Sequence, residues 1–325
     1  MPIETYLELA AQYVSWGRIQ ESKKLLSLAP PNTEVSFWKA WLNKDDPALS
    51  QRYLEEAEAS SPYFVFPFRE ESAAVFTWAL SKSSDWRPAY LLGLIEDFHG
   101  NKDRAIEHLE AHDKVDFAPF YMLRARLRPE EAKKLRLEDV ERAVGIDPDQ
   151  WRYKLIQAKL LTQMDQRPEA IKILQAAQQQ HQDNYIVGLE LVRQLVKSDR
   201  YREADELLVG LNVLPFEGAT DARRYYRQIK LMLAQEALDQ RDYKRALARV
   251  SEALEWPAHL GVGKPFEADI NNDLEHWMQY LILSRSGKQA AAKRAWANID
   301  NKALHEDNYL EMIRSISGNL DQRIF

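Results

Sequence analysis

The sequence predicts an all-α chain, a right-handed α-solenoid of paired helices with irregular insertions, running as one superhelical domain over residues 1–325. Three observations predict it. Apolar residues recur every three or four positions along most of the chain, the spacing of one helical stripe. Good helix formers (Ala, Leu, Glu, Arg, Lys, Gln) dominate, while Gly is limited to 11 of 325 residues. Between Trp151 and Leu211 two helix–turn–helix units repeat with a fixed period: Ala170 and Ala204 are 34 residues apart (204 − 170), and so are Leu174 and Leu208.

That period, with a small residue followed four positions later by a large apolar one, is the signature of a tetratricopeptide repeat. In the first unit Trp151, Leu155, Ala158 and Leu161 make one stripe, and Pro168 sits in the first turn of the return helix, where its missing N–H costs nothing. Ala170 is small because two helices approach closely there. One unit cannot bury both faces, so neighbours must stack.

The elements follow in order. Glu4–Trp16 is an amphipathic helix ended by Gly17, and Ile19–Leu28 returns until Pro30-Pro31 stops it. Val35–Leu42 and Pro47–Ala59 make a shorter pair, with Phe37, Trp38 and Trp41 read as core. These are the irregular pairs of residues 1–60. Residues 61–211 hold the repeat-like pairs. Ser60–Phe68, with two prolines and four aromatics, reads as an ordered loop, followed by a helix at Glu70–Ser81. Arg87–His99 with Lys102–His112, then Phe117–Leu127 with Pro129–Val144, lead into the two regular units. Residues 212–325 carry longer repeats: an insertion at Asn212–Thr220, a long helix over Ala222–Asp239, Tyr243–Glu255, a second insertion at Trp256–Asn271, then Leu274–Ser284 and Gln289–Asn298, with a capping helix near Asp307–Ser317. About eight pairs result. Loops this long inside a solenoid direct attention to Ser60–Phe68, Asn212–Thr220 and Trp256–Asn271.

Composition excludes several classes. A net charge of −6 with both signs mixed argues against a nucleic-acid protein. Cys is absent, which rules out disulfides and Cys-based metal sites and fits a cytoplasmic protein. Met1–Ala11 carries Glu4 and Glu8 and does not read as a signal peptide. No apolar run approaches the roughly 20 residues of a membrane span, so no membrane partner is expected.

No catalytic motif emerges. His108 and His112 are four apart, but Leu109 stands where a metalloprotease helix needs Glu, and a third ligand is missing, so neither metal nor other cofactor is expected. Gly261-Val262-Gly263-Lys264-Pro265 lacks the Ser or Thr and the preceding strand of a phosphate loop. Acid pairs such as Glu70-Glu71 point about 100° apart on a helix and read as solvated surface. The basic cluster Arg124, Arg126, Arg128, Lys133, Lys134 and Arg136 reads likewise as a solvated face, diluted by Glu130 and Glu131.

Four stretches resemble one bacterial family: Ser61–Glu71, similar to a Phe-Pro-x-Arg-x-Glu region; Ala89-Tyr90-Leu91-Leu92-Gly93 with Ala105-Ile106; Leu214–Ala219, similar to Trp-Glu-Gly-Gly; and Pro257–Pro265, similar to Pro-x-Asn-Leu-Gly-x-Gly-Lys. Members of that family join an N-terminal β-rich domain of unknown function, resembling galactose mutarotases, to a tetratricopeptide-repeat half. Here Phe216 replaces Trp, Ala219 replaces Gly, and His259 stands where Asn is usual. The resemblance covers the helical half alone, and it implies a link to carbohydrate metabolism.

The resulting expectation is a non-catalytic scaffold for a protein or peptide partner, such as a β-rich carbohydrate-related domain. The first helix of each pair would line a groove, making Tyr90, Trp151, Arg152 and Tyr185 contacts. Arg69, Glu70, Glu217 and Lys264, from the inserted segments, would form a polar interface or an ion-pair network. The alternative is the helical part of a carbohydrate-active enzyme, its insertions completing a sugar site with Glu70 or Glu217 as acid or base.

Overall fold

Stripes of apolar residues at helical spacing do fold as helices. The computed structural model describes residues 1–216 and 220–300, and among these it contains seventeen α-helices and no strand. They divide between two compact units, residues 1–153 and 154–325, each described by itself.

The first unit holds α1 (Ile3–Ser15), α2 (Ile19–Ser27), α3 (Thr33–Leu42), α4 (Pro47–Ala59), α5 (Glu70–Leu80), α6 (Trp86–Phe98), α7 (Lys102–Glu110), α8 (Ala118–Leu127) and α9 (Lys133–Ile146). The division falls within α10 (Trp151–Gln163). The second unit continues with α11 (Arg167–Gln180), α12 (Tyr185–Val196), α13 (Tyr201–Gly210), α14 (Asp221–Asp239), α15 (Tyr243–Ala253), α16 (Asp273–Arg285) and α17 (Gln289–Trp296). The capping helix expected near Asp307–Ser317 lies outside the described residues. No described helix is long and apolar enough to cross a membrane.

Packing is between neighbours in sequence. In the first unit α1 lies on α2, α3 on α4, α6 on α7 and α8 on α9, while α5 stands between pairs and packs on both α3 and α6. In the second unit α12 lies on α13, α14 on α15 and α16 on α17. Each unit has its own core. One centres on Phe37, Trp38, Phe76, Leu91 and Phe120, the other on Leu231, Val250, Trp277 and Ile282, all essentially without exposed surface. Each such side chain contributes about 1.5–3 kcal/mol when fully buried.

One turn geometry recurs. Six turns place a residue in the left-handed region: Gly17, Gly100, Asp165, Asp199, Arg241 and Gly287, with φ between 57° and 81°. In each, the N–H of the following residue donates to the carbonyl five positions before it, as Gln166 does to Leu161 (2.9 Å) and Asp242 to Ala237 (2.9 Å). This is the helix-ending Schellman arrangement. Five residues past each left-handed position comes a small buried one: Ser22, Ala105, Ala170, Ala204, Ala246 and Ala292. The alanines of the 34-residue period are therefore where paired helices touch.

The basic cluster of α8 is not a solvated face throughout. Arg124 is buried and donates to Asp139 (2.6 Å) and to the carbonyl of His112 (3.0 Å), and Arg128 reaches the same carboxylate (2.8 Å). In the second unit buried Lys230 meets Asp205 (2.6 Å) and Glu252 (2.7 Å), and Arg249 closes the network on the same two acids. Burial pushes the Glu252 carboxyl up, but Lys230 and Arg249 outweigh it and hold its pKa below the ordinary value.

Candidate functional site

The two insertions singled out in the second unit dock on each other. The Val213 N–H donates to the carbonyl of His259 (2.8 Å). Gly261 ends a 3-10 turn at Ala258–Leu260 in the left-handed region (φ 66°), and a Cβ there would lie 2.5 Å from the Val213 carbonyl oxygen. Only glycine permits that approach. Leu211, Val213 and Leu260 are buried beneath the crossing.

Between the insertions and the start of α14 lies a cleft of about 540 Å³. Arg223 and Arg227, four apart and so on one helix face, line it with Arg224, Phe216, Trp256, Gly261, Gly263, Asp269, Asn271 and Asn272. Arg223 is 6% exposed; its guanidinium lies 4.5 Å from the Trp256 ring centre and donates to the Ala253 carbonyl (2.7 Å). Arg227 grips the buried Glu275 with two hydrogen bonds, 2.6 and 3.0 Å. Arg224 pairs with Asp221 at the surface (2.9 Å).

A second cleft, of about 500 Å³, is lined by Leu155, Ile156 and Lys159 of α10, by Tyr185, Ile186, Leu189, Glu190 and Arg193 of α12, and by Phe216, Asp221 and Tyr225. The helices involved, α10, α12 and α14, are the first of their pairs. Ile156, Ile186 and Phe216 are exposed. Phe216 lines both clefts.

The other sequence-derived candidates are scattered. Tyr185 lies in the second cleft. Lys264 stays on the outer surface of its insertion, paired with Glu267. Glu217 lies outside the described residues. In the first unit Arg69 precedes α5, stacks over Phe68 (4.6 Å) and donates to the Glu4 carboxylate (3.2 Å), whereas neighbouring Glu70 is exposed. Tyr90 sits in the core against Phe117 (5.2 Å), where burial raises its phenol pKa. Trp151 is half-buried with the exposed Arg152 guanidinium over its ring (4.3 Å). The loop before α5 presents Phe64, 88% exposed and itself in the left-handed region (φ 61°).

Several residues here escaped the sequence reading. Glu34, 2% exposed in α3, accepts from the Ser72 hydroxyl (2.6 Å), which accepts in turn from the Trp38 indole (2.9 Å). Burial pushes the Glu34 carboxyl up to about 7, helped by nearby Glu4 and opposed by Ser72 and Arg69. The signal was an acid inside the apolar run Thr33–Trp38. Arg223 and Arg227 had a signal too, two cations at i and i+4 just after an insertion. As for the His pair, α7 ends at Glu110, so His112 lies beyond the helix. Among the described residues no three His, Asp or Glu are grouped to hold a metal.

No protein-family model and no curated protein matches the sequence. Solved structures do match. A tetratricopeptide repeat protein from Parabacteroides merdae is 12% identical, with 86% of this chain and 98% of that one covered and a TM-score of 0.36. The TPR domain of P58(IPK) is 14% identical over 97% of this chain and 96% of its own, with a TM-score of 0.29. Human IFIT1, in a dimer with PPP-AAAA, is 14% identical over 97% of this chain and 79% of its own, with a TM-score of 0.33. At such identities and TM-scores the likeness carries neither ligand nor partner to this chain. What the protein shares with them is the all-helical, repeat-like build already visible in its own turns and cores.

Proposed function

We propose that the protein is a non-catalytic tetratricopeptide-repeat scaffold that holds a protein or peptide partner, with a segment of the partner lying in the groove of α10, α12 and α14. One observation carries this reading: the first helices leave Ile156, Ile186 and Phe216 exposed in one cleft, beside Tyr185, Leu189 and Tyr225. Apolar side chains left open on a concave helical face are what such a groove offers a partner. Tyr185 then touches the partner, while Arg69, Glu70, Glu217 and Lys264 anchor the inserted segments. The family resemblance makes a β-rich, carbohydrate-related domain the first partner to try, and the lack of cysteine favours the cytoplasm. A second reading, the helical part of a carbohydrate-active enzyme, draws support from the cleft between the insertions, where an indole and two Asn amides lie together.

The test is a photo-crosslinking residue at position 186 of the full chain, with position 172 on α11 as control. A defined protein segment crosslinked at 186 alone, and bound at least about tenfold more weakly by Ile186→Glu at unchanged melting temperature, is the expected result. Equal capture at both positions, or undiminished binding by Ile186→Glu, would remove the groove from the mechanism.

A further inference from the structure

We infer that the cleft between the two insertions is a binding site for a small organic anion, a carboxylate or phosphate ester carried on a ring-sized body. It lies apart from the peptide groove, with Phe216 as the shared lining residue.

The site is built rather than incidental. Its walls hold each other through the Val213–His259 hydrogen bond and the Gly261 crossing, so they stand in place before a ligand arrives. Its volume, about 540 Å³, falls in the range of small-molecule sites. The lining brings three guanidinium groups, Arg223, Arg224 and Arg227, against one carboxylate, Asp269. Two of the three are fixed in orientation: Arg227 by two hydrogen bonds to buried Glu275, and Arg223 by the Ala253 carbonyl and the Trp256 ring. Guanidinium forks match the paired oxygens of carboxylate and phosphate, and fixing them beforehand removes much of the entropy of binding. Arg224 differs, since its pairing with Asp221 is a solvent-exposed one. Exposed pairs are weak, so an incoming anion can take the guanidinium over.

The rest of the lining suits the body of the ligand. Trp256 offers a flat apolar surface, and Asn271 and Asn272 offer amides that serve hydroxyl groups as donors or acceptors. A bare anion would leave these unused.

Four probes titrated into the full chain test the proposal: glucuronate, glucose 6-phosphate, neutral glucose and inorganic phosphate, read by calorimetry and by melting temperature. One or both of the organic anions should bind, which of them identifying the anionic group. Glucose and inorganic phosphate should each bind at least about tenfold more weakly. Arg224→Gln, at an exposed position, should weaken the anion several-fold without lowering the melting temperature, and Trp256→Ala should weaken it further. Glucose binding as tightly as glucuronate would overturn the anion site, and inorganic phosphate binding as tightly as its ester would overturn the role of the ring. Absence of binding by either organic anion up to about 10 mM, or full binding retained in both variants, would overturn the site itself. Each of these outcomes leaves the crosslinking test at position 186 unaffected.

Discussion

Glu34 is the residue whose chemistry reaches furthest into stability. Its carboxyl titrates near 7 in the folded chain against an ordinary value of 4.5. At pH below 4.5 both states carry the proton. Between 4.5 and 7 the folded chain still holds it while the unfolded chain has lost it, so stability falls as pH rises, by about 3 kcal/mol once pH passes 7. The charged groups facing it, Glu4 from α1 and Arg69 ahead of α5, act in opposite directions and leave desolvation in control. Glu34→Gln should therefore raise the melting temperature at pH 8 and change it little at pH 4, as a thermal-melt series across pH would record. A second residue-scale expectation concerns Arg124. Asp139→Asn should cost about 3–5 kcal/mol in a denaturant titration, because it strips the charge from the carboxylate that answers buried Arg124 and half-buried Arg128. Neither residue could be read from the sequence. An isolated Glu in an apolar run and an Arg in a basic cluster look like solvated surface until packing decides which face turns inward.

At the scale of the element the recurring turn is decisive. Gly100 has open space around its missing Cβ, so Gly100→Ala tests backbone conformation alone and should cost about 1–2 kcal/mol. Arg241 sits in the same geometry with a side chain, and Arg241→Gly should gain up to about 1 kcal/mol, the relieved strain being partly offset by a freer unfolded chain. Chemical denaturation of the two variants checks both signs. Gly261→Ala is a different case, because its Cβ would strike backbone. Hydrogen exchange at the Val213 amide should speed up in that variant as the insertions part. Helix positions were legible because period and propensity agree. The starts shifted where turn chemistry intervened, as at α9, which begins at Lys133 after the Ala132 N–H has bonded back to the Pro129 carbonyl. The left-handed turns at Asp165, Asp199 and Arg241 were not legible, since glycine is the usual marker and none stands there.

Across the whole molecule, contacts join helices that are neighbours in the chain. Cores made of local contacts close small loops and should form fast, on the millisecond scale or below, which stopped-flow refolding would measure. The same locality explains what sequence could say about function. The expected groove helices were identifiable because they are first in each pair, and Tyr185 does lie in a cleft that they line. Tyr90, by the same rule a contact, instead fills the core between α6 and Phe117, because the aromatic pairs there need its ring. The cleft between the insertions depends on two segments that meet only after α14 and α15 have folded back, and no local pattern announces such a meeting.

The three long segments, residues 60–69, 211–220 and 254–272, all follow the second helix of a pair, and none interrupts a left-handed turn. That asymmetry marks where the chain tolerates grafted cargo. A foreign peptide spliced after Gly210 enters a stretch already free to vary in length. A single residue added between Asp199 and Tyr201 would swing Ala204 away from its neighbour and unzip the pair. Lineages could thus acquire new recognition loops between hairpins while the hairpins themselves stayed the same.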